Sequence, residues 1–403
     1  MKYVIILGDG MADNPIPELD NKTPLMVAEK PAMDYIARSG RTGRLETIPP
    51  DMPTGSAVAN LSVLGYDPHR TFQGRGVLEA ASLGIKLSEN DMAMRVNLIS
   101  VEDNRIRSHS ADHITNEEAN QLIRDLQKHF IQFKIHLYQG LSYRHVLIVP
   151  DGDTRLKCAP PHDHLGQLID ALFVEPLTPE AKPTADLLNQ LILESETFLR
   201  SHPLNRKRKK AGKLPANMLW PWSPGRKPRM KSFEERFGIK GAVISAVDLV
   251  KGLAIYAGMD VIPVEGATGL YDTNYENKAD ACLRSLNTHD LVFVHVEAPD
   301  EAGHAQDVKL KIRCIEDLDR RLLQRVLNGL KNRITETAIA ILPDHPTPIA
   351  HGAHTREPVP VAILDPRIHP DSVEYFDEES VKLGSLGLMK GAEFIVTLLG
   401  KDK

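Results

Sequence analysis

Six carboxylate and imidazole side chains, together with one serine hydroxyl, fall where short apolar runs of this 403-residue chain end. Asp9 follows the apolar run 3–7 in Leu7-Gly8-Asp9-Gly10-Met11. Its flanking glycines let the backbone approach a ligand closely, and a carboxylate at a strand end is a natural hard-cation ligand. Asp300 and His304 lie four apart in His295-Val296-Glu297-Ala298-Pro299-Asp300-Glu301-Ala302-Gly303-His304, so one turn of helix projects both from one face, where they can share a metal. Asp344 and His345 follow the apolar run 338–342 after Pro343, and His354 precedes the run 359–364. Ser56, in Pro53-Thr54-Gly55-Ser56, opens a short helical pattern that Gly65 can end. Its hydroxyl therefore sits at a helix N-terminus, where free N–H groups favour negative charge and would stabilise a phosphoserine.

Taken singly, each residue has a plainer role: Asp9 as a turn former, Ser56 as an N-cap. Taken together, the six ligands suffice for two divalent ions when Ser56 supplies a further oxygen. Such a pair, roughly 3.5 to 4 Å apart, lowers the effective pKa of a hydroxyl and screens its repulsion from phosphate. The chemistry expected is phosphoryl transfer through Ser56. Mixed oxygen and nitrogen ligands suit Mn²⁺ or Zn²⁺ better than Mg²⁺ alone, with Co²⁺ a further fit.

These residues need a scaffold that brings distant strand ends together. Apolar runs at 3–7, 242–245, 259–264, 291–296, 338–342 and 359–364 alternate with amphipathic stretches at 247–257, 279–286 and 308–330. Continuous apolar strands separated by helices imply an α/β fold with a mostly parallel sheet covered on both faces, and ligands gather at the ends of such strands. The stretch 86–183 reads differently, with strands near 92–101, 133–138 and 145–149 and a helix near 116–129. It is expected to be a smaller α+β cap inserted between core segments 1–85 and 184–403.

With 42% hydrophobic and 26% charged residues the chain can bury a large core. Forty-nine lysines and arginines against 54 acidic residues leave a formal charge of -5, too thinly spread for a general nucleic-acid binder. The basic run 205–213 could grip an anion but reads as a solvated helix end and loop. Three widely spaced cysteines suit a reducing cytosol, and residues 1–7 look like a first strand rather than a signal peptide. No run approaches 18 apolar residues, so no membrane span is expected, and no Walker-type loop offers a nucleotide cradle. A cytoplasmic enzyme is the expectation; nothing in the sequence sets its oligomeric state.

Beyond the metal-type residues, Gly65-Tyr66-Asp67-Pro68, Gly74-Arg75-Gly76, Lys213-Leu214-Pro215-Ala216-Asn217, Gly266-Ala267-Thr268-Gly269, Asp272-Thr273-Asn274-Tyr275-Glu276 and His354-Thr355-Arg356-Glu357-Pro358 complete a pattern. It resembles the alkaline phosphatase superfamily, and closely the archaeal-type cofactor-independent phosphoglycerate mutases, over most of the chain. The resemblance implies that Ser56 is the nucleophile, taking phosphate from 3-phosphoglycerate and returning it to the 2-position. It further implies that Asp9, Ser56, Asp344 and His345 hold one metal and Asp300, His304 and His354 the other. The partner implied is a small phosphorylated metabolite, contacted from Arg75, Arg144 and Asn217.

The pattern departs at Arg107-Ser108-His109-Ser110-Ala111-Asp112-His113, where such mutases usually carry an arginine-rich segment, and at Asn60, where many relatives carry histidine. Fewer guanidinium forks weaken bidentate recognition of carboxylate and phosphate, and Asp112 would suit an ammonium group. The alternatives are therefore transfer to a small amino-acid hydroxyl, as proposed for a homoserine kinase branch of the family, or plain phosphomonoester hydrolysis.

Overall fold

A computed structural model describes residues 1–401. The chain divides into two compact units: Met1–Phe72 with Arg229–Lys403, and Gln73–Pro228 between them. Among the described residues no helix is long and apolar enough to cross a membrane.

The larger unit is built on an eight-stranded sheet in the order Asp260–Val261, Gly241–Ile244, Leu291–Val296, Lys2–Gly8, Thr337–Leu342, Val359–Leu364, Arg41–Glu46 and Gly387–Lys390. Val359–Leu364 alone opposes the common direction, pairing antiparallel with both neighbours. The three central strands, Leu291–Val296, Lys2–Gly8 and Thr337–Leu342, are parallel and buried almost throughout. Burial on both faces is why they read as near-continuous apolar runs rather than alternating ones. Their register sets Gly8 beside Val296 and Leu7 beside Leu342, so the segments that follow all leave from one edge of the sheet. The run 259–264 forms only the two-residue edge strand Asp260–Val261, because Pro263 has no N–H to continue the ladder. The amphipathic stretch 308–330 folds as Val308–Asp317 and Gln324–Gly329 joined by a π-helical turn, Leu318–Leu323.

The smaller unit holds a five-stranded antiparallel sheet, with Met92–Glu102 between Arg144–Val149 and Met218–Arg226. It is wider than the expected span 86–183. Met218–Arg226 is a full member of this sheet, and leucines of the helix Lys182–Arg200 share its core with Trp220. Two prolines and a glycine disguise Met218–Arg226 as a loop in sequence, and its pairing is irregular where it passes Ala93 and Arg95.

The basic run 205–213 is only partly a solvated surface. Within the helix Pro203–Lys210, Asn205 and Arg208 are buried. The Arg208 guanidinium donates to the Leu214 carbonyl at 2.9 Å and the Ala111 carbonyl at 2.6 Å, and it pairs with Glu118. Arg208→Ala should therefore lower the unfolding midpoint of the full chain by an amount equivalent to roughly 3 kcal/mol, because it strands Glu118, the buried Ala111 carbonyl and the half-buried Leu214 carbonyl. Chemical denaturation followed by circular dichroism measures this, and a midpoint unchanged from wild type would contradict it. Arg208→Lys should recover only part, since an ammonium cannot span three acceptors fixed for a planar fork.

Candidate functional site

The sheet edge of the larger unit collects the predicted ligands. Asp9 leaves the first strand with its N–H on the Val296 carbonyl at 2.9 Å, and its carboxylate is buried. Gly10 follows with φ +58°, a conformation that glycine adopts without cost. A Cβ there would lie 2.4 Å from Asp300 Oδ1 and 2.5 Å from Thr347 Oγ1, so glycine is what lets this loop approach the other ligands.

Ser56 is the first residue of the helix Ser56–Val63, with Gly55 at the capping position and no side-chain cap bond. Its hydroxyl is therefore not spent on the helix. Oγ lies 3.2 Å from Asp9 Oδ2 and 3.2 Å from His345 Nε2. The helix closes as the sequence suggests, with Gly65 at φ +77° and the Tyr66 N–H returning to the Leu61 carbonyl at 2.8 Å.

Asp344 is buried at the end of Thr337–Leu342. Its Oδ1 accepts from the Gly10 N–H at 3.2 Å and the His345 N–H at 2.9 Å, and its Oδ2 from Asn60 Nδ2 at 2.9 Å. Asn60 thus serves a carboxylate, and the same Nδ2 also reaches the Ser56 carbonyl at 2.8 Å. Asp300 and His304 share one helical turn as their spacing predicts, with Oδ2 and Nε2 3.1 Å apart. His354 Nε2 lies 3.4 Å from Asp300 Oδ1 and 2.9 Å from His304 Nε2.

Two features test whether these residues fit metal ions. His304 Nδ1 faces the Gly352 carbonyl at 2.9 Å and must donate to it, which leaves the Nε2 lone pair aimed at His354 Nε2 and the Asp300 carboxylate. Three lone-pair donors converging on one point require a proton or a cation between them. Burial raises Asp300, but hydrogen bonds from His304 and His354 outweigh it and hold the carboxyl well below the usual carboxylate range, and the hydrogen bond with Asp300 draws His304 up to about 9. The second feature is uncompensated charge. Burial, then Asp344, Asp300 and Glu297, push Asp9 well above its ordinary value, and among the described residues the ion pairs of Asp9, Asp300 and Asp344 are all with histidines. Three groupings close enough to share an ion follow: Asp300 with His304 and His354, Asp9 with His295 and Asp344, and Asp9 with Asp300 and His345. The donor set fits divalent cations.

His295 is the member that sequence reasoning missed. It is fully buried, with Nε2 3.0 Å from Asp9 Oδ2, and burial pulls it down to about 4, which keeps its ring neutral. The signal was present: it is the one polar side chain in the strand Leu291–Val296, on the same strand face as Phe293. Thr347 was missed as well, and its Oγ1 lies 2.5 Å from Asp300 Oδ1 and 3.3 Å from His345 Nδ1, touching a ligand of each proposed ion.

Behind Thr347, the buried Lys311 ammonium donates to the Thr347 carbonyl at 2.9 Å, the Ala12 carbonyl at 3.0 Å and Asp13 Oδ2 at 2.8 Å. One cation therefore ties the loop after Asp9 to the loop after His345. Lys311→Met should cost about 3–5 kcal/mol by leaving Asp13 as an unpaired buried charge. Adding Asp13→Asn should return part of that loss. Thermal melting of the single and double variants checks both, and a double variant no more stable than the single would contradict the account.

The other expected residues lie in the smaller unit. Arg75 opens the helix Arg75–Ser82 with its guanidinium 5.9 Å from the centre of the Trp222 ring, and Arg144 lies 5.7 Å from that of Tyr143. Asp112 is exposed, in a run of three left-handed residues, Ala111 to His113. Asn217 does not offer itself to a ligand: its buried amide accepts from the Val101 N–H at 2.7 Å and donates to the Val101 carbonyl at 2.8 Å, fastening Met218–Arg226 to its neighbour strand.

A mostly parallel α/β sheet whose strand ends present carboxylates, imidazoles and one uncapped serine defines the class: an α/β enzyme with a centre for divalent metal. Comparison with known proteins narrows this. Residues 37–205 match the family model described as 2,3-bisphosphoglycerate-independent phosphoglycerate mutase. A protein of that name from Methanosarcina acetivorans is 48% identical over 99% of this chain and 100% of its own length. A Geobacter sulfurreducens protein described as a probable enzyme of the same name is 43% identical over the full length of both. Among solved structures, a Pyrococcus horikoshii protein superposes with a TM-score of 0.85 at 33% identity, covering 100% of this chain and 98% of its own. The cofactor-independent phosphoglycerate mutase of Thermoplasma acidophilum gives 0.68 at 28% identity, with both chains fully covered. The chain belongs to the 2,3-bisphosphoglycerate-independent phosphoglycerate mutase family.

Proposed function

We propose that this protein interconverts 3-phosphoglycerate and 2-phosphoglycerate by way of a phosphoserine at Ser56. The observation that carries the reading is the Ser56 hydroxyl, free of any capping role and 3.2 Å from both Asp9 and His345 inside the ligand cluster. Full-length relatives bearing the mutase name support the substrate.

In the first half-reaction Ser56 Oγ forms a bond to phosphorus as the bond from phosphorus to the glycerate 3-oxygen breaks, and the proton lost from Oγ ends on that oxygen. In the second half the glycerate 2-oxygen forms a bond to phosphorus as the bond from phosphorus to Ser56 Oγ breaks, and the proton of the 2-hydroxyl returns to Oγ. Atoms and charge balance without a second substrate. Asp9 and His345 hold Oγ at the start of its helix, whose free N–H groups suit the phosphorylated state. Asp9, Asp344, His345 and Ser56 would hold one divalent ion and Asp300, His304 and His354 the other, with His295 and Thr347 orienting them. Bound ions supply charge neutralisation at the phosphate and a lowered pKa at the hydroxyl. Arg75 and Arg144, both of the smaller unit, are the side chains we assign to the anionic groups of the substrate.

The test is a coupled assay of purified protein supplied with Mn²⁺ and 3-phosphoglycerate, expected to yield 2-phosphoglycerate. A metal-replete protein that forms none would end the reading. The same preparation offered homoserine and a phosphate donor should give no O-phosphohomoserine, since no observation beyond the exposed Asp112 favours that transfer.

A further inference from the structure

A cleft of about 460 Å³, formed wholly by the larger unit, shares no lining residue with the ligand cluster. Four cationic side chains line it: Arg70, Arg229, Lys231 and Arg236. All four are exposed, and among the described residues none forms an ion pair with a carboxylate. Asp67 also lines the cleft and Glu235 adjoins it, and both carry hydrogen bonds from other groups. Asp67 accepts from the His69 N–H at 3.0 Å and pairs with His69 Nδ1, and Glu235 accepts from the Ser232 N–H at 2.6 Å.

Unpaired surface cations ordinarily spread apart, because like charges confined in one concavity repel and gain nothing from it. Here one of them is also held in place. The Arg236 guanidinium lies 4.5 Å from the centre of the Tyr66 ring and 4.8 Å from that of Phe237, and the Tyr66 hydroxyl donates to the Lys231 carbonyl at 3.0 Å. That lowers the entropy lost when an anion is gripped. A second cleft, of about 400 Å³, adjoins the first through Tyr66, Asp67 and Arg236, and Pro49, Pro50, Pro68 and Ala392 give it an apolar lining. Charge in one lobe and apolar surface in the next describe a ligand with a phosphate at one end and a carbon skeleton at the other. Lys390 in the second lobe is already paired with Glu46 at 3.3 Å, so the phosphate belongs in the first.

We propose that this cleft binds a small phosphorylated metabolite, its phosphate held by Arg70, Arg229, Lys231 and Arg236. Arg70 and Arg229 stand within three residues of the two points at which the chain passes between its units, after Phe72 and before Arg229. An anion held between them would tie the two segments to each other.

The experiment is calorimetric titration of the full-length, metal-loaded protein with inorganic phosphate at low ionic strength. Two classes of site are expected, one catalytic and one in the cleft. Arg229→Glu combined with Lys231→Glu should weaken the cleft class by at least about tenfold, the loss of two charge-assisted contacts, and leave basal activity in place. Arg70→Glu, which leaves the 229–231 segment intact, should do the same and guards against misfolding of the double variant. Asp9→Asn should remove the catalytic class and spare the cleft class, so failure of this proposal is distinct from failure of the catalytic reading. Isotherms of both cleft variants identical to wild type, or loss of all binding in Asp9→Asn alone, would overturn it.

Discussion

Ser56→Ala should remove mutase activity while leaving the fold intact. The nucleophile forms the only covalent link in the proposed cycle, so kcat should drop on the order of 10⁴-fold or more, the scale seen when a nucleophile is deleted from a preorganised site. The fold should not notice. Ser56 opens the helix Ser56–Val63 without capping it, and alanine has the highest helix propensity of any residue, so the melting temperature should stay within about 2 °C of wild type. Removing the hydroxyl also leaves no unpaired donor, because its neighbours Asp9 and His345 each keep another contact, to His295 and to the Pro346 carbonyl. A coupled assay together with a thermal melt separates these outcomes. Activity within tenfold of wild type would mean that phosphate passes between the two glycerate oxygens without resting on Ser56.

How far this site could be read in the sequence depended on what each residue's neighbours revealed. Asp9, Asp344 and His345 were legible because a carboxylate or imidazole just beyond an apolar run has few structural reasons to be there. Asp300 and His304 were legible because their spacing matches a helical turn, and the helix Ala298–His304 realises it. His295 was not, because a histidine inside an apolar strand looks like a core residue until the partner strand is known; only the pairing of Leu7 with His295 brings it beside Asp9. Lys311 was hidden in the same way. In sequence it is one of several lysines on an amphipathic helix, and its burial follows from where the Ala12 and Thr347 carbonyls converge. The extent of the smaller unit was obscured by local chemistry at Pro221, Pro224 and Gly225, residues that argue against a strand unless a neighbour such as Met92–Glu102 supplies the pairing.

Asp9→Asn should abolish activity and, in metal-free protein, stabilise the fold. Asp9 faces Ser56 Oγ at 3.2 Å, His295 Nε2 at 3.0 Å and His345 Nε2 at 3.4 Å, and it belongs to two of the three groupings that can share an ion. An amide keeps the shape but gives up the charge, so affinity for Mn²⁺ should fall by at least about 100-fold, the upper range for changes around a metal site. In wild type, saturating Mn²⁺ at about 100 times its Kd should stabilise by about 2.7 kcal/mol, and the variant should show little of this shift at the same concentration. Without metal the sign reverses. Burial first, then the charges of Asp344, Asp300 and Glu297, raise Asp9 well above its unfolded value. A carboxyl with a raised folded-state value takes up protons on folding, so the metal-free wild type should lose stability as pH climbs from about 4 through that raised value. Asparagine has no proton to lose and should be spared this loss, so the metal-free variant should melt above the metal-free wild type near neutral pH and converge with it in acid. Melting curves with chelator and with Mn²⁺ across that pH range read both halves. If the metal-free variant melts below wild type at neutral pH, the Asp9 carboxylate is not the uncompensated buried charge that the cluster requires a cation to balance.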